Sequence, residues 1–239
     1  MNDKFVLQAF TELAPHYEDT IDREVREFCG LGYRELIRRL VDNVPVIEGQ
    51  RVLDIASGTA VSSVEIAMRI GADSQIVGLD VTPAMMAYGA GNIAAAGLGS
   101  RIHQVCGSGM EMPLSADSFD FVMCGFGTHH MDVPRLLSEI RRVLRSEGHL
   151  VMADVGAPAP WRTLWGRALV WMMIRLIRTF WRSARVEAEA DAIPSIRAAV
   201  EWRDLLISFG FDSVEIEERP ARRFFYPCAL ILRAIIHKD

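Results

Sequence analysis

From Arg51 to Asp154 the chain alternates short apolar runs with stretches of helical periodicity, and this alternation leaves few folds open. The runs are Arg51–Ile55, Gln75–Leu79, Arg101–Val105, Phe119–Gly125 and His149–Asp154. Most of them are apolar at the majority of positions, as a strand buried on both faces must be. Between them Val61–Ile70, Pro83–Ala96 and Pro134–Leu144 repeat apolar residues every three or four positions. Strand and helix in turn predict a parallel sheet with helices on both faces. A helix near Glu201–Ser208, stopped by Gly210, leads to two more strands, Ser213–Glu217 and about Ala229–Ile236. The expected fold class is α/β, a seven-stranded and mostly parallel sheet with one antiparallel strand.

Ahead of the sheet, Val25, Phe28 and Cys29, then Tyr33, Leu36, Ile37 and Leu40, recur at helical spacing until Pro45 and Gly49 punctuate the chain. With 239 residues, half of them hydrophobic, one sizeable core is expected. The reading is a single domain: a helical cap over 1–48, a core over 49–155, a helical insertion over 156–200, and a closing helix and hairpin over 201–239. The insertion opens at the break Gly156-Ala157-Pro158-Ala159-Pro160.

Composition removes several chemistries. Lys4 and Lys238 are the only lysines, so a pyridoxal Schiff base, a Walker lysine and a Tyr/Lys dehydrogenase pair lack their central residue. Net charge is −5, against a general nucleic-acid binder. The start Met1-Asn2-Asp3-Lys4 has no basic-then-apolar signal pattern, so a cytoplasmic protein is expected. Cys29, Cys106, Cys124 and Cys228 are far apart with no C-x-x-C pair; buried thiols are expected, with neither a disulfide framework nor a metal site.

The first strand runs into Asp54-Ile55-Ala56-Ser57-Gly58-Thr59-Ala60, and a helix opens directly after it. In an open α/β sheet ligands sit beyond the carboxyl ends of strands, where such a turn approaches them. Gly58 lets the backbone come close, and the helix start at Val61-Ser62-Ser63 offers free N–H groups to an anion. The second strand ends in Asp80, a carboxylate suited to both hydroxyls of an adenosine ribose. Thr82-Pro83 supplies an N-cap and a first-turn proline, with Met85 and Met86 next, placed either to pack an adenine or to fill the core. A nicotinamide dinucleotide is the competing ligand; its G-x-G-x-x-G/A pattern is poorly met, because Ala60 and Ser63 follow Gly58.

These residues resemble the class I methyltransferases, most closely the menaquinone/ubiquinone-biosynthesis C-methyltransferase family. The likeness runs from Phe10-Thr-Glu-Leu-Ala-Pro-His-Tyr17-Glu, through Asp54-Ile-Ala-Ser-Gly-Thr, Gly78-Leu-Asp80-Val-Thr-Pro-Ala-Met85, Met112-Pro-Leu-Ser-Ala-Asp-Ser-Phe-Asp120, Gly125-Phe-Gly127 and Arg141-Arg-Val-Leu-Arg-Ser-Glu-Gly148, to about Gly210-Phe211. The resemblance implies a Rossmann-like sheet, S-adenosyl-L-methionine as donor, S-adenosyl-L-homocysteine as product and a lipophilic acceptor. It implies cofactor contacts at Tyr17, Asp54, Ala56, Gly58, Thr59, Asp80, Val81, Met85, Gly107, Ser108, Gly109 and Gly125. Asp54, Gly58 and Thr59 would lie around the methionine part, and Tyr17 in a segment that closes over the cofactor. Ala60 stands where the family has a further glycine, which puts a methyl group near the cofactor. Ser108 replaces a common Asp or Asn at the adenine. After Phe126-Gly127, His129 and His130 occupy the positions of an Arg-Asn pair. An imidazole there suits a general base or an acceptor-orienting group, so His129 and His130, with Tyr17, are the candidate catalytic residues.

Trp161–Arg185 holds four of the five tryptophans, six arginines and no acid. Arg175, Arg178, Arg182 and Arg185 fall at helical spacing on one face of an expected amphipathic helix, and Trp171, Met172, Ile174, Ile177 and Trp181 populate much of the remainder. Its longest uncharged run is too short to span a bilayer, which needs about 20 apolar residues. The segment reads as an amphipathic lid, either docking on an anionic membrane or packed on the core with its arginines pairing Glu187, Glu189 or Asp191. The expected partners are a hydrophobic small-molecule acceptor, that membrane surface and a second copy of the chain, with no nucleic acid. The expectation is methyl transfer to oxygen or carbon of a quinone-like, phenolic, polyketide or lipid acceptor. The alternative is an S-adenosylmethionine-binding protein of the same fold that does not methylate, such as a cyclase, an isomerase or a non-catalytic partner.

Overall fold

The computed structural model describes residues 3–42, 44, 49–181 and 183–238, so the expected break at Pro45 and the arginine at 182 lie outside the described residues. Three helices come first: α1 (Asp3–Leu13), α2 (Tyr17–Cys29) and α3 (Tyr33–Val41). The core follows as β1 (Arg51–Ile55), α4 (Val61–Ala67), β2 (Gln75–Asp80), α5 (Pro83–Ala95), β3 (Ile102–Cys106), β4 (Phe119–Gly125), α6 (Val133–Val143) and β5 (Leu144–Gly156). Two helices, α7 (Leu164–Phe180) and α8 (Ala184–Ala192), precede α9 (Ala199–Ser208), β6 (Phe211–Arg219) and β7 (Cys228–Ile236).

The described strands form one sheet in the order β3-β2-β1-β4-β5-β7-β6. β1 to β5 are parallel, and β7 runs antiparallel between β5 and β6. Successive residues of one strand serve opposite faces. In β4, Val122 and Cys124 join the layer of α6 and α9, while Phe121 and Met123 join that of α3, α4 and α5. Both sets are fully buried, which explains the near-continuous apolar strands. Of the four cysteines Cys124 and Cys228 are buried, whereas Cys29 is half-buried and Cys106 is exposed, so burial holds for two.

Element ends show where local chemistry was misleading. β5 begins five residues before His149. Leu144 pairs with Phe119 and His149 with Phe121, so the polar stretch Arg145–Gly148 bulges opposite Asp120. An ion pair from Arg145 to Asp120 at 2.5 Å closes the bulge. Helix α6 starts at Val133, capped by Asp132, whose carboxylate accepts from Arg135 N at 3.1 Å. Thr82 precedes α5 as expected, but its side chain makes no cap bond.

The expected helix across Trp161–Arg185 is two helices, so Arg175 and Arg178 on α7 do not share a helix face with Arg185 on α8. Thr163 caps α7 and Ser183 caps α8. Arg178 pairs with Glu187 and Asp191 on α8, and Arg185 bonds Glu24 on α2 at 2.5 Å. α8 in turn packs on α1, with Ala184 and Ala188 against Ala9 and Val6. No helix of the described residues is long and apolar enough to cross a membrane.

Candidate active site

β1 has β2 on one side and β4 on the other, so the chain leaves it in opposite directions, and a crevice opens beyond its carboxyl end. A cavity of about 250 Å³ lies there. Its floor is Ile55, Ala56 and Gly58 after β1, Leu79 to Thr82 after β2, Gly107 to Met110 after β3, and Gly125 to Gly127 after β4. Met85, His130 and Met131 extend the wall, and Val6, Leu7, Phe10 and Tyr17 roof it.

Asp80 ties two of these turns together. One carboxylate oxygen accepts from Gly58 N at 2.8 Å, the other from Thr82 N at 2.7 Å. Burial raises its pKa, opposed by those N–H donors. Gly58 has φ +53°, a conformation that favours glycine, and a Cβ there would sit 3.1 Å from Met85 Cε, which would have to give by a few tenths of an ångström. Below the turn, Gly89 lets α5 approach so closely that a Cβ would come within 3.0 Å of Gly58 O.

Asp54 is fully buried beneath the loop. Ser62 and Ser63 hydroxyls donate to one oxygen at 2.7 and 2.6 Å, while the other, Oδ1, is buried without a hydrogen-bond partner. Burial pushes its pKa from the ordinary 3.8 up to about 6, against those hydroxyls. Neither Asp54 nor Thr59 lines the cavity, so the structure does not bring these two expected contacts to the wall. Thr59 Oγ1 is likewise buried without a partner, and its carbonyl accepts from Asn92 Nδ2 at 2.9 Å.

Ala60 resolves differently from the expectation. It adopts the left-handed conformation, φ 59° and ψ 21°, but its methyl group is buried in the core with Val61 and Ile66 and is absent from the cavity wall. Left-handed backbone costs an alanine roughly 1–2 kcal/mol. Glycine would escape that cost but lose about 0.8 kcal/mol of methyl burial and about 0.5–1 kcal/mol in chain entropy. The terms nearly cancel. Ala60→Gly is therefore expected to change unfolding free energy by less than about 1 kcal/mol in urea denaturation. Ala60→Val, β-branched at positive φ, is expected to lose several times that.

The two histidines part company. His130 is on the cavity wall and His129 is not. His129 Nδ1–H donates to Asp154 Oδ1 at 2.5 Å, and its backbone N–H to Oδ2 at 3.0 Å. Asp154 also accepts from Val155 N at 2.7 Å and from the Thr128 hydroxyl, so it is rigidly held. Burial pulls His129 down in pKa, but the Asp154 carboxylate outweighs it and the net shift is upward. His130 is pushed down to about 3, by burial first and then by His129, and its ring lies edge-on to Phe10. Tyr17 is raised to about 12 by burial, so its hydroxyl stays protonated, with its ring 6.0 Å from that of Tyr33.

Tyr17, Ala56, Gly58, Asp80, Val81, Met85, Gly107, Ser108, Gly109 and Gly125 thus line one cavity. Ser108 keeps its hydroxyl there, accepting from Met110 N at 3.2 Å. The roof residues Val6, Leu7 and Phe10 escaped sequence reading, although Val6, Ala9, Phe10 and Leu13 carry helical spacing.

The chain is similar to known proteins in sequence and in fold. A family model described as the ubiE/COQ5 methyltransferase family matches residues 1–162. A demethylmenaquinone methyltransferase of Geobacillus kaustophilus is 30% identical over 72% of this chain and 70% of its own length. One from Bacillus velezensis is 36% identical over 47% of this chain and 48% of its own. Among solved structures, a SAM-dependent methyltransferase from Aquifex aeolicus superposes with a TM-score of 0.61 at 17% identity, covering 93% of this chain and 98% of that one, a likeness of fold.

Proposed function

The chain belongs to the ubiE/COQ5 methyltransferase family, S-adenosylmethionine-dependent enzymes, and we propose that it methylates an oxygen or carbon of a hydrophobic small molecule drawn from a lipid surface. The observation that carries the cofactor assignment is Asp80: a buried carboxylate at the end of β2, on the cavity wall, with lone pairs left for a pair of ribose hydroxyls. Ser108, Gly107 and Gly109 would border the adenine, with Val81 and Met85 against its faces. Tyr17, Ala56 and Gly125 would surround the methionine part. Asp54 Oδ1 and Thr59 Oγ1 are buried without partners behind that wall and do not line the cavity, so the fit to this group rests on Asp80 and the wall residues. When bound, S-adenosylmethionine supplies an electrophilic methyl carbon and leaves as S-adenosylhomocysteine.

The chain's own part is positioning and exclusion of water. Val6, Leu7, Phe10 and Met131 close an apolar chamber in which an acceptor ring is desolvated. His130, neutral at physiological pH, offers a ring nitrogen to an acceptor oxygen, and the Asp154–His129 pair fixes the turn that carries it. His130 is therefore the acceptor-orienting residue and His129 a positioning residue.

α7 supports delivery from a membrane. Gly166, Val170 and Ile174 face inward, while Trp165, Leu169, Met172, Leu176 and Phe180 form an exposed outer stripe, with Trp165 88% and Phe180 71% exposed. Exposed Arg162, Arg167 and Arg175 flank it, and Arg175 stacks on Trp171 at 4.7 Å. Large apolar groups bordered by arginine suit an anionic interface. One experiment tests donor, acceptor and surface together. The chain is incubated with methyl-labelled S-adenosylmethionine and anionic vesicles loaded with cell lipid extract, then floated. Label in a floated lipid and protein in the same layer are expected. Label confined to water-soluble products overturns the lipid source, and cofactor binding without any labelled product overturns methyl transfer.

A further inference from the structure

His129, His130 and Glu189 meet where the turn after β4 faces α8, and each offers a ligand atom within 4.8 Å of the others. We propose that they bind a divalent transition-metal cation of the zinc type, with Asp154 as the outer partner of His129. Its role in handling an acceptor oxygen rests on the reading of His130 above; the site itself does not.

Three observations carry it. First, Asp154 takes the Nδ1–H of His129, which leaves Nε2 as the lone-pair atom. A carboxylate behind a histidine is the usual support of a metal-bound imidazole, fixing both tautomer and ring direction. Secondly, the His130 ring does not spend its polar atoms elsewhere: Nδ1 is buried without a partner, and Nε2 stands 3.9 Å from Glu189 Oε1, beyond hydrogen-bond length. The rings of His129 and His130 are 4.3 Å apart and tilted by 45°. Thirdly, Glu189 lies on α8 with its side chain about half exposed, so a change of rotamer can close the remaining gap. Ligands about 2 Å from zinc in a tetrahedron stand roughly 3.3 Å from one another, so the closure required is on the order of 1 Å.

The donor set selects the ion. Two imidazole nitrogens and one carboxylate suit zinc, iron(II) or manganese(II) rather than calcium or magnesium, which prefer oxygen throughout. Three protein ligands leave a position open, the pattern of reactive rather than structural zinc sites. Of the three ligands only His130 lines the cavity, and it is the link between this site and an acceptor there. The cysteine and histidine spacings gave no sign of such a site, because Glu189 reaches it only through the packing of α8.

The test is titration of the chelator-stripped full chain with zinc sulfate by calorimetry, and with cobalt(II) by visible absorption. One site with a d–d band of low-coordinate cobalt is expected. Glu189→Gln should weaken it at least tenfold, Asp154→Asn ten- to a hundredfold, and His129→Ala should abolish it, while His103→Ala leaves it unchanged. Circular dichroism checks the fold of each variant; Glu189→Gln changes a half-exposed helix residue and keeps the test decisive if the buried variants misfold. Zinc affinity unaltered by Glu189→Gln and His129→Ala, or no site in the parent chain, overturns the proposal. S-adenosylhomocysteine titrated into the same stripped protein tests the cofactor reading by itself, so the two failures are told apart.

Discussion

Asp80→Asn is expected to lower affinity for S-adenosylhomocysteine by two orders of magnitude or more. The carboxylate holds Gly58 N and Thr82 N on separate oxygens, and the reading above adds two ligand hydroxyls. An asparagine keeps one acceptor oxygen and turns an NH₂ group toward the other N–H, a donor facing a donor. Hydrogen bonds to a charged group contribute about 1.5–3 kcal/mol each, and a buried N–H left unpaired costs about 1–3 kcal/mol. Losing two such ligand bonds amounts to roughly 3–6 kcal/mol, or about 10²- to 10⁴-fold in Kd. Calorimetry measures it directly. Affinity within threefold of the parent, in a variant with unchanged circular dichroism, would remove Asp80 from the cofactor site.

The second large effect concerns Asp54 and has the opposite sign for stability. Its folded pKa of about 6 exceeds the ordinary 3.8, because burial outweighs the Ser62 and Ser63 hydroxyls. Between those values the folded chain holds a proton that the unfolded chain has released. Stability therefore falls as pH rises from about 4 to 6, and the full cost is present above 6. A shift of roughly two units corresponds to about 3 kcal/mol. Asp54→Asn removes the charge, so urea denaturation should show a gain of about 2–3 kcal/mol at pH 7.5 and none at pH 4. An equal gain at both pH values would assign the effect to packing instead, and a loss at pH 7.5 would mean that the carboxylate is paid for within the free protein.

Sequence and structure agree most closely where the physics is local. Val52, Leu53 and Ile55, or Val122 to Cys124, are apolar on both sheet faces, so strand and layer could be read from composition alone. Asp80 was legible because a lone acid ends an apolar strand. Where partners are distant in sequence, the reading stopped short. Asp54 and Thr59 belong to the expected loop, yet they do not line the cavity, and only the neighbouring chain could decide that. Arg178 and Arg185 looked like one basic face until the break after Phe180 sent them to Asp191 and Glu24. The beginning of β5 was hidden by a polar bulge whose pairing lies across the sheet.

The contact between α1 and α8 is one of the seams that hold the roof over the cavity. That contact is made by Ala9, Ala184 and Ala188 with Val6, side chains that bury little area apiece. At about 0.8 kcal/mol per methyl-sized group, separating them costs only a few kcal/mol, well below what holds the interdigitated strands together. The roof can therefore lift as a small cooperative unit while the sheet stays intact. Opening of the roof is thereby decoupled from global unfolding: the cavity can exchange what it holds on a soft coordinate without weakening the frame beneath it.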